Sequence, residues 1–133
     1  MYIKEITVRT NRRNEFIEVT GEVKKIVEKS NIKDGFVILY VPHTTAGVTI
    51  NENADPSVKA DILNTLDKLV PPNAGYSHLE GNADSHIKST IIGVSQLVHI
   101  INGRMSLGTW QGIFFCEFDG PRTRKMIVQV VPS

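Results

Sequence analysis

The chain has 133 residues, 41% of them hydrophobic, and its 15 basic and 14 acidic side chains leave a formal net charge of +1. That composition fits one folded domain with its own core and excludes a disordered chain, while the near-neutral charge argues against nucleic acid as a partner. No apolar run approaches the roughly 20 residues of a membrane span. The acid at Glu5 interrupts what would be the apolar part of a secretion signal, and the single cysteine, Cys116, has no internal disulfide partner. A reducing cytoplasm is the expected setting.

Tyr2 to Arg9 alternates around Ile3, Ile6 and Val8 and reads as a strand. The polar turn Asn11 to Asn14 and a second strand, Glu15 to Val19, predict a hairpin. Val23, Ile26 and Val27 share one face of a helix that runs to about Ser30. After the Asp34-Gly35 turn, Phe36 to Val41 is a continuous apolar run, as expected of a strand buried on both faces. Gly47 to Ile50 is a short strand. Asp55 and Pro56 supply an N-cap and a first helical residue, Val58, Ile62, Leu66 and Leu69 form the apolar stripe, and Pro71-Pro72 ends the helix. Residues 73 to 82 form an ordered loop, and a third helix covers Ala83 to Ile92 and stops at Gly93. Leu97 to Ile101, Ile113 to Phe118 and Lys125 to Val131 are closing strands, with turns at Gly103 and Gly120-Pro121. Hairpins mixed with three helices predict an α+β fold, a single compact domain with mixed, largely antiparallel sheets.

Two loops concentrate reactive groups. Pro42, His43, Thr44 and Thr45 follow the most apolar strand, so the core holds a histidine beside two hydroxyls that could bind an anion or merely cap a turn. The next strand leads to Asn51, Glu52, Asn53 and Asp55, where Glu52 is a candidate general base and Asp55 is committed to capping. The second loop holds His78, Glu80, Asn82, Asp84 and His86 within nine residues. Imidazoles among carboxylates ligate first-row metals or move protons, although this spacing matches no zinc motif. His99 sits between Val98 and Ile100 in a strand and points to the opposite face. Cys116 lies in an apolar strand, where a small buried residue is the first reading and a nucleophile the second. Trp110, in a Gly-containing turn, could stack on a flat ligand or fill a subunit interface. Arg122 and Arg124, one residue apart, could clamp phosphate or form a solvated edge.

These residues carry a resemblance. The stretch from Ser95 to Ile113 with Gly108-Thr109-Trp110-Gln111, the runs His43 to Ala46, Asn51 to Pro56 and Glu80 to Asp84 with His86, and Asp119 to Arg124 together resemble the YjbQ-like family, the secondary thiamine-phosphate synthases. The likeness covers essentially the whole chain. It implies a small α+β domain assembled as a homotrimer with polar clefts between subunits. It also implies a weak transferase activity that joins a pyrimidine methyl diphosphate to a thiazole phosphate and releases pyrophosphate. On the matched positions, His43, Glu52 and His86 are the catalytic candidates. Thr44, Thr45, Arg122, Arg124 and Trp110 are the candidate substrate and phosphate contacts, and His43, His78 and His86 the candidate ligands for a divalent metal, zinc or magnesium. His99 departs from the family pattern, and no role is carried onto it. The expected partner is a small phosphorylated molecule, with no membrane and no nucleic acid. The competing reading is a non-catalytic trimeric module that binds a metal or small ligand.

Overall fold

A computed structural model describes all 133 residues. The elements run β1 (Tyr2–Arg9), β2 (Glu15–Glu18), α1 (Thr20–Ser30), β3 (Gly35–Tyr40), β4 (Ala46–Glu52), α2 (Pro56–Leu69), α3 (Ala83–Ile92), β5 (Ser95–Ile101), β6 (Arg104–Met105), β7 (Gln111–Glu117) and β8 (Thr123–Pro132). Two antiparallel sheets form, in the orders β1-β8-β3-β5-β6 and β2-β7-β4. The α+β class, the three helices and the single compact domain are as the sequence predicts. No helix is long and apolar enough to cross a membrane.

The main core lies between the sheets. Period-two alternation directs Met126, Val128 and Val130 of β8, Val37 and Leu39 of β3, and Val98 and Ile100 of β5 inward. There they meet Val48, Ile113 and Phe115 from the smaller sheet, with Val23 and Val27 of α1 closing one side. A second cluster of Phe16, Phe114, Cys116 and Phe118 lies on the other face of the smaller sheet under Leu66, with Ile62 and Leu63 packed against it. The strand covered on both faces is therefore β7, every residue of which from Gly112 to Glu117 is buried.

The structure corrects three expectations and adds one strand. β1 and β2 are not a hairpin: β1 pairs along its full length with β8, and β2 pairs with β7. The polar segment between them crosses from one sheet to the other, fastened by hydrogen bonds from Thr10 N–H to the Arg122 carbonyl and from Gly120 N–H to the Arg13 carbonyl. β3 is covered on one face only, since Phe36 and Ile38 are half-buried and Tyr40 is exposed. Leu69 at the end of the α2 stripe is exposed, because only the middle of that helix reaches the aromatic cluster. The two-residue strand β6 carries no periodic signal and forms by pairing with Ile100 and Ile101. Asp55 does cap α2, accepting a hydrogen bond from Ser57 N–H at 2.9 Å.

Helix α3 is packed with its polar face inward. Asp84, Ser85, Lys88 and Ser89 are buried, whereas Ile87 and Ile91 are exposed. Polar satisfaction explains the orientation. Ser85 donates to the Phe118 carbonyl and Ser89 to the Ala46 carbonyl, each at 2.6 Å, which fixes the helix to the ends of β7 and β4. Asp84 receives a two-pronged hydrogen bond from Arg13 at 3.0 and 3.1 Å. The Lys88 ammonium bonds Asp67 of α2 at 2.9 Å and lies 3.4 Å from Asp84. Removing one member of a buried charge set strands the others without compensation. Lys88→Ala is expected to lose about 3 kcal/mol of unfolding free energy in urea denaturation, whereas Lys24→Ala on the exposed face of α1 should change it by less than about 0.5 kcal/mol. Equal, small effects would mean that the network does not hold α3 in place.

Candidate functional site

The chain passes between the two sheets at three places near one end of the molecule: between β1 and β2, between β3 and β4, and between β7 and β8. A buried ion pair ties these crossings together. Arg124 of β8 bonds the Glu117 carboxylate through Nε at 2.9 Å and also through Nη2, and both side chains are almost fully buried. Glu117 further accepts from Thr10 Oγ1 at 2.8 Å, Phe118 N–H at 3.1 Å and Asp119 N–H at 3.0 Å. Arg124 Nη2 also reaches Thr45 Oγ1 at 2.8 Å. Within the protein, Nε and Nη2 are occupied and Nη1 has no partner. Burial disfavours the Glu117 carboxylate, but the Arg124 guanidinium and the Asp119 and Thr10 donors outweigh it and hold its pKa below the ordinary value. Gly120 sits tightly in this junction: a Cβ there would stand 2.2 Å from the Arg12 carbonyl oxygen.

Above the pair opens a cleft of about 400 Å³ lined by Pro42, His43, Thr44, Thr45, Glu80, Asn82, His86, Asp119, Arg122 and Arg124, so that Pro42 is its only apolar side chain. His43 is placed by the end of β3. The last β3 partner on β8 is Ile127, opposite Tyr40, so two residues further on the Lys125 N–H lacks a ladder acceptor. His43 Nε2 takes it at 3.0 Å. A neutral ring bonded in this way carries its proton on Nδ1, the one ring nitrogen without a protein partner. Burial lowers the His43 pKa first, and the Arg124 charge lowers it further. At the rim, Arg122 bonds the Asp119 carbonyl and carboxylate at 2.9 and 3.0 Å, and Asn82 Nδ2 donates to the same carboxylate at 2.9 Å.

The expected residues are brought together only in part. His43, Thr44, Thr45, His86, Arg122 and Arg124 line the one cleft. Thr45 is buried and spends its hydroxyl and carbonyl on Arg124, so it positions the guanidinium. His78 lines a neighbouring hollow with Tyr76, and its ring meets His86 edge-to-face at 5.2 Å. Glu52 and Trp110 are elsewhere. β4 pairs Ala46 with Glu117 at the cleft end and Glu52 with Gln111 at the other, a separation of about 20 Å at strand rise. Trp110 stands 62% exposed there. No three His, Cys, Asp or Glu side chains cluster closely enough to hold a metal. His99 is exposed on the outer face of β5, as alternation requires, and burial pushes the Cys116 thiol well up, which leaves no nucleophile there. Sequence reasoning missed Glu117 and gave Asp119 no role, while Asn82 and Glu80 of the second reactive loop do line the cleft. An acid inside the otherwise apolar run from Phe114 to Phe118 was the available signal for Glu117.

The chain belongs to the YjbQ-like UPF0047 family, whose model matches residues 4–133. It is 54% identical over 124 residues to a UPF0047 protein of Methanocaldococcus jannaschii, covering 93% of this chain and 90% of that one. It is 48% identical over 130 residues to the UPF0047 protein YugU of Bacillus subtilis, covering 97% and 98%. Among solved structures, a YjbQ/UPF0047 family protein from Clostridium acetobutylicum superposes with a TM-score of 0.95 at 51% identity, covering 96% of this chain and 99% of that one.

Three groups around the cleft and α3 have depressed pKa values in the folded state: Glu117, His43 and Asp84, the last held down by Arg13 against the opposing effect of burial. The unfolded chain therefore binds more protons than the folded one whenever pH lies below the ordinary values and above the depressed ones. Stability is fully present above the ordinary histidine value of 6.5 and falls as pH drops, first through His43 and then, below the ordinary glutamate value of 4.5, through Glu117 and Asp84. Urea unfolding between pH 8 and about pH 3 should show this two-stage decline, with the upper stage missing in His43→Ala. A profile flat down to pH 4 would contradict the assigned shifts.

Proposed function

We propose that the cleft binds a phosphorylated small molecule and that the protein is a weak thiamine-phosphate-synthase-type transferase. In that reaction the bond from the pyrimidine methylene carbon to the diphosphate oxygen breaks. Its electron pair departs with pyrophosphate, and the ring nitrogen of the thiazole phosphate supplies the pair for the new carbon–nitrogen bond. The observation that carries the reading is the buried Arg124, held rigid by Glu117 and Thr45 with Nη1 unpaired at a predominantly polar cleft that also presents Arg122. Fixed donors of this kind stabilise charge developing on a leaving oxygen without reorganising. Thr44 and the Nδ1–H of His43 add neutral donors, and His86 is the remaining imidazole available for proton movement.

The family resemblance adds a homotrimer to this reading, the single cysteine a reducing cytoplasm, and the imidazole–carboxylate chemistry a divalent cation, zinc or magnesium. His78 and His86 are the imidazoles available for that cation, since His43 Nε2 is engaged by Lys125. Glu80 Oε2 stands 4.0 Å from His78 Nε2, but no three such side chains of one chain converge closely enough to hold the cation. Glu52 and Trp110 take part only if a neighbouring subunit carries them to the cleft, because their own chain holds them at the far end of β4. The acids Glu80 and Asp119 in the cleft favour a second reading, a binding module without turnover.

The two readings separate in one set of measurements. Calorimetric titration should show inorganic pyrophosphate binding the wild-type protein and Arg122→Ala binding it about tenfold more weakly. Incubation with the pyrimidine diphosphate and thiazole phosphate, with and without magnesium or zinc, should yield thiamine phosphate. His86→Ala should lose most of that product while melting and pyrophosphate affinity change little. Binding without product in any condition supports the module, and absence of binding removes both readings. Light scattering should give three times the mass of the 14.8 kDa chain, and a monomer at micromolar concentration would remove the trimer.

A further inference from the structure

The polar cleft is one half of a larger depression. A second hollow of about 470 Å³ adjoins it and shares His43, Thr44 and His86 with it. The chemistry changes abruptly across those three residues. All the charged side chains, Glu80, Asp119, Arg122 and Arg124, line the first lobe. The second is walled by Ser89, Thr90, Gly93 and Val94 and has none. Its hydroxyls are already used: Ser89 Oγ donates to the Ala46 carbonyl at 2.6 Å and Thr90 Oγ1 to the His86 carbonyl at 3.0 Å. A neutral group entering this lobe therefore strips water from few polar atoms that lack partners. The wall also has room. Gly93 ends α3 at a φ of +92°, and a Cβ placed on it would meet nothing within 4 Å. With Val94 as the only apolar side chain, the lobe suits a compact uncharged ring better than a long aliphatic chain.

We propose that the Ser89–Val94 lobe is a subsite for the uncharged organic part of a two-part ligand whose anionic part occupies the arginine lobe, with the bond joining them lying across His43, Thr44 and His86. This rests on the anion-binding reading above and adds the architecture of the ligand. It places the histidines beside the junction of the ligand, where a leaving oxygen would separate from an organic carbon. The unpaired Nδ1–H of His43 is then a donor at that junction.

The test compares two probes, inorganic pyrophosphate and benzyl diphosphate, by calorimetric titration. Thr90 is exposed on α3, so Thr90→Trp fills the lobe without entering the core. Thr90→Phe serves in its place if the tryptophan variant melts lower than wild type. The expected result is that benzyl diphosphate binds the filled variant about tenfold more weakly while pyrophosphate affinity stays within about twofold. A gain confined to benzyl diphosphate, through stacking on the new ring, equally supports the subsite. Arg122→Ala should weaken both probes. If both probes bind the wild type and filling the lobe alters neither, or alters both alike, the subsite is wrong while anion binding stands. If neither probe binds the wild type, the underlying reading fails and the subsite with it.

Discussion

The contact between Arg124 and Glu117 joins the fold to the cleft. Each of the three crossings between the sheets at the cleft end supplies a partner to it. Thr10 comes from the first and Thr45 from the second, while Glu117 and Arg124 flank the third. Taking two charges out of water is expensive and is repaid only when the remaining donors and acceptors are satisfied. Glu117 meets that condition, receiving the guanidinium, a threonine hydroxyl and two backbone N–H groups. The fit is directional, so the crossings have little freedom to shift independently. Gly120 adds a steric constraint, since the Arg12 carbonyl occupies the place a side chain would take. The cleft lies where these constraints meet, which makes its donors rigid.

Helix α3 extends the same logic outward. Its inward face carries Asp84 and Lys88, which an amphipathic pattern would place in water, while Ile87 and Ile91 face out and only Ile92 packs against the aromatic cluster. The arrangement is stable because Arg13 and Asp67 complete the charge set and two serines bind the sheet carbonyls. The consequence is positional. With α3 rotated in this way, Asn82 and His86 come to the cleft. Asn82 Nδ2 bonds Asp119, while its Oδ1 is buried without a partner. Flipping the amide would set its carbonyl against the Asp119 carboxylate, so the unpaired acceptor is fixed by its neighbour. A buried acceptor without a donor is costly and marks a place where a ligand or water completes the bonding.

Local patterns made the elements legible. Alternation placed β1, turn residues bounded β5 and β8, and the Asp55-Pro56 pair placed the start of α2. Partner choice was not legible, because β1 and β2 look like a hairpin until Thr10 and Arg13 are seen to bond the β7–β8 connection. The same limit applies to the site. His43, Thr44, His86, Arg122 and Arg124 were found as polar residues at element ends, where a rigid strand or helix presents them. Glu117 was hidden because in sequence it is one acid in an apolar strand, and its partner lies seven residues away beyond a turn. Glu52 and Trp110 were grouped with the site by residue type and motif, but the β4–β7 register carries them to the opposite end. The orientation of α3 ran against its pattern because paired buried charges, rather than apolar area, decide it.

Charge within the site points to how such a cleft would select a ligand. Arg122 is paired with Asp119 at the rim, Glu80 also lines the cleft, and Glu117 lies directly behind Arg124. Two cations against three carboxylates leave no positive field to draw in a polyanion from a distance. Selection must then come from short-range donor geometry: the fork of Arg124 held at Thr45 and Glu117, the Nδ1–H of His43, and the hydroxyl of Thr44. Donors fixed in this way favour an oxygen at a defined position over an anion in general. The acids press in the same direction, because a ligand with several charges meets Glu80 and Asp119 unless a cation accompanies it or its charge is drawn toward the arginines. A ligand charged at one end and neutral at the other answers both demands. Its anionic end meets the fixed donors, and its remainder leaves the acids for the uncharged lobe beyond His43 and His86.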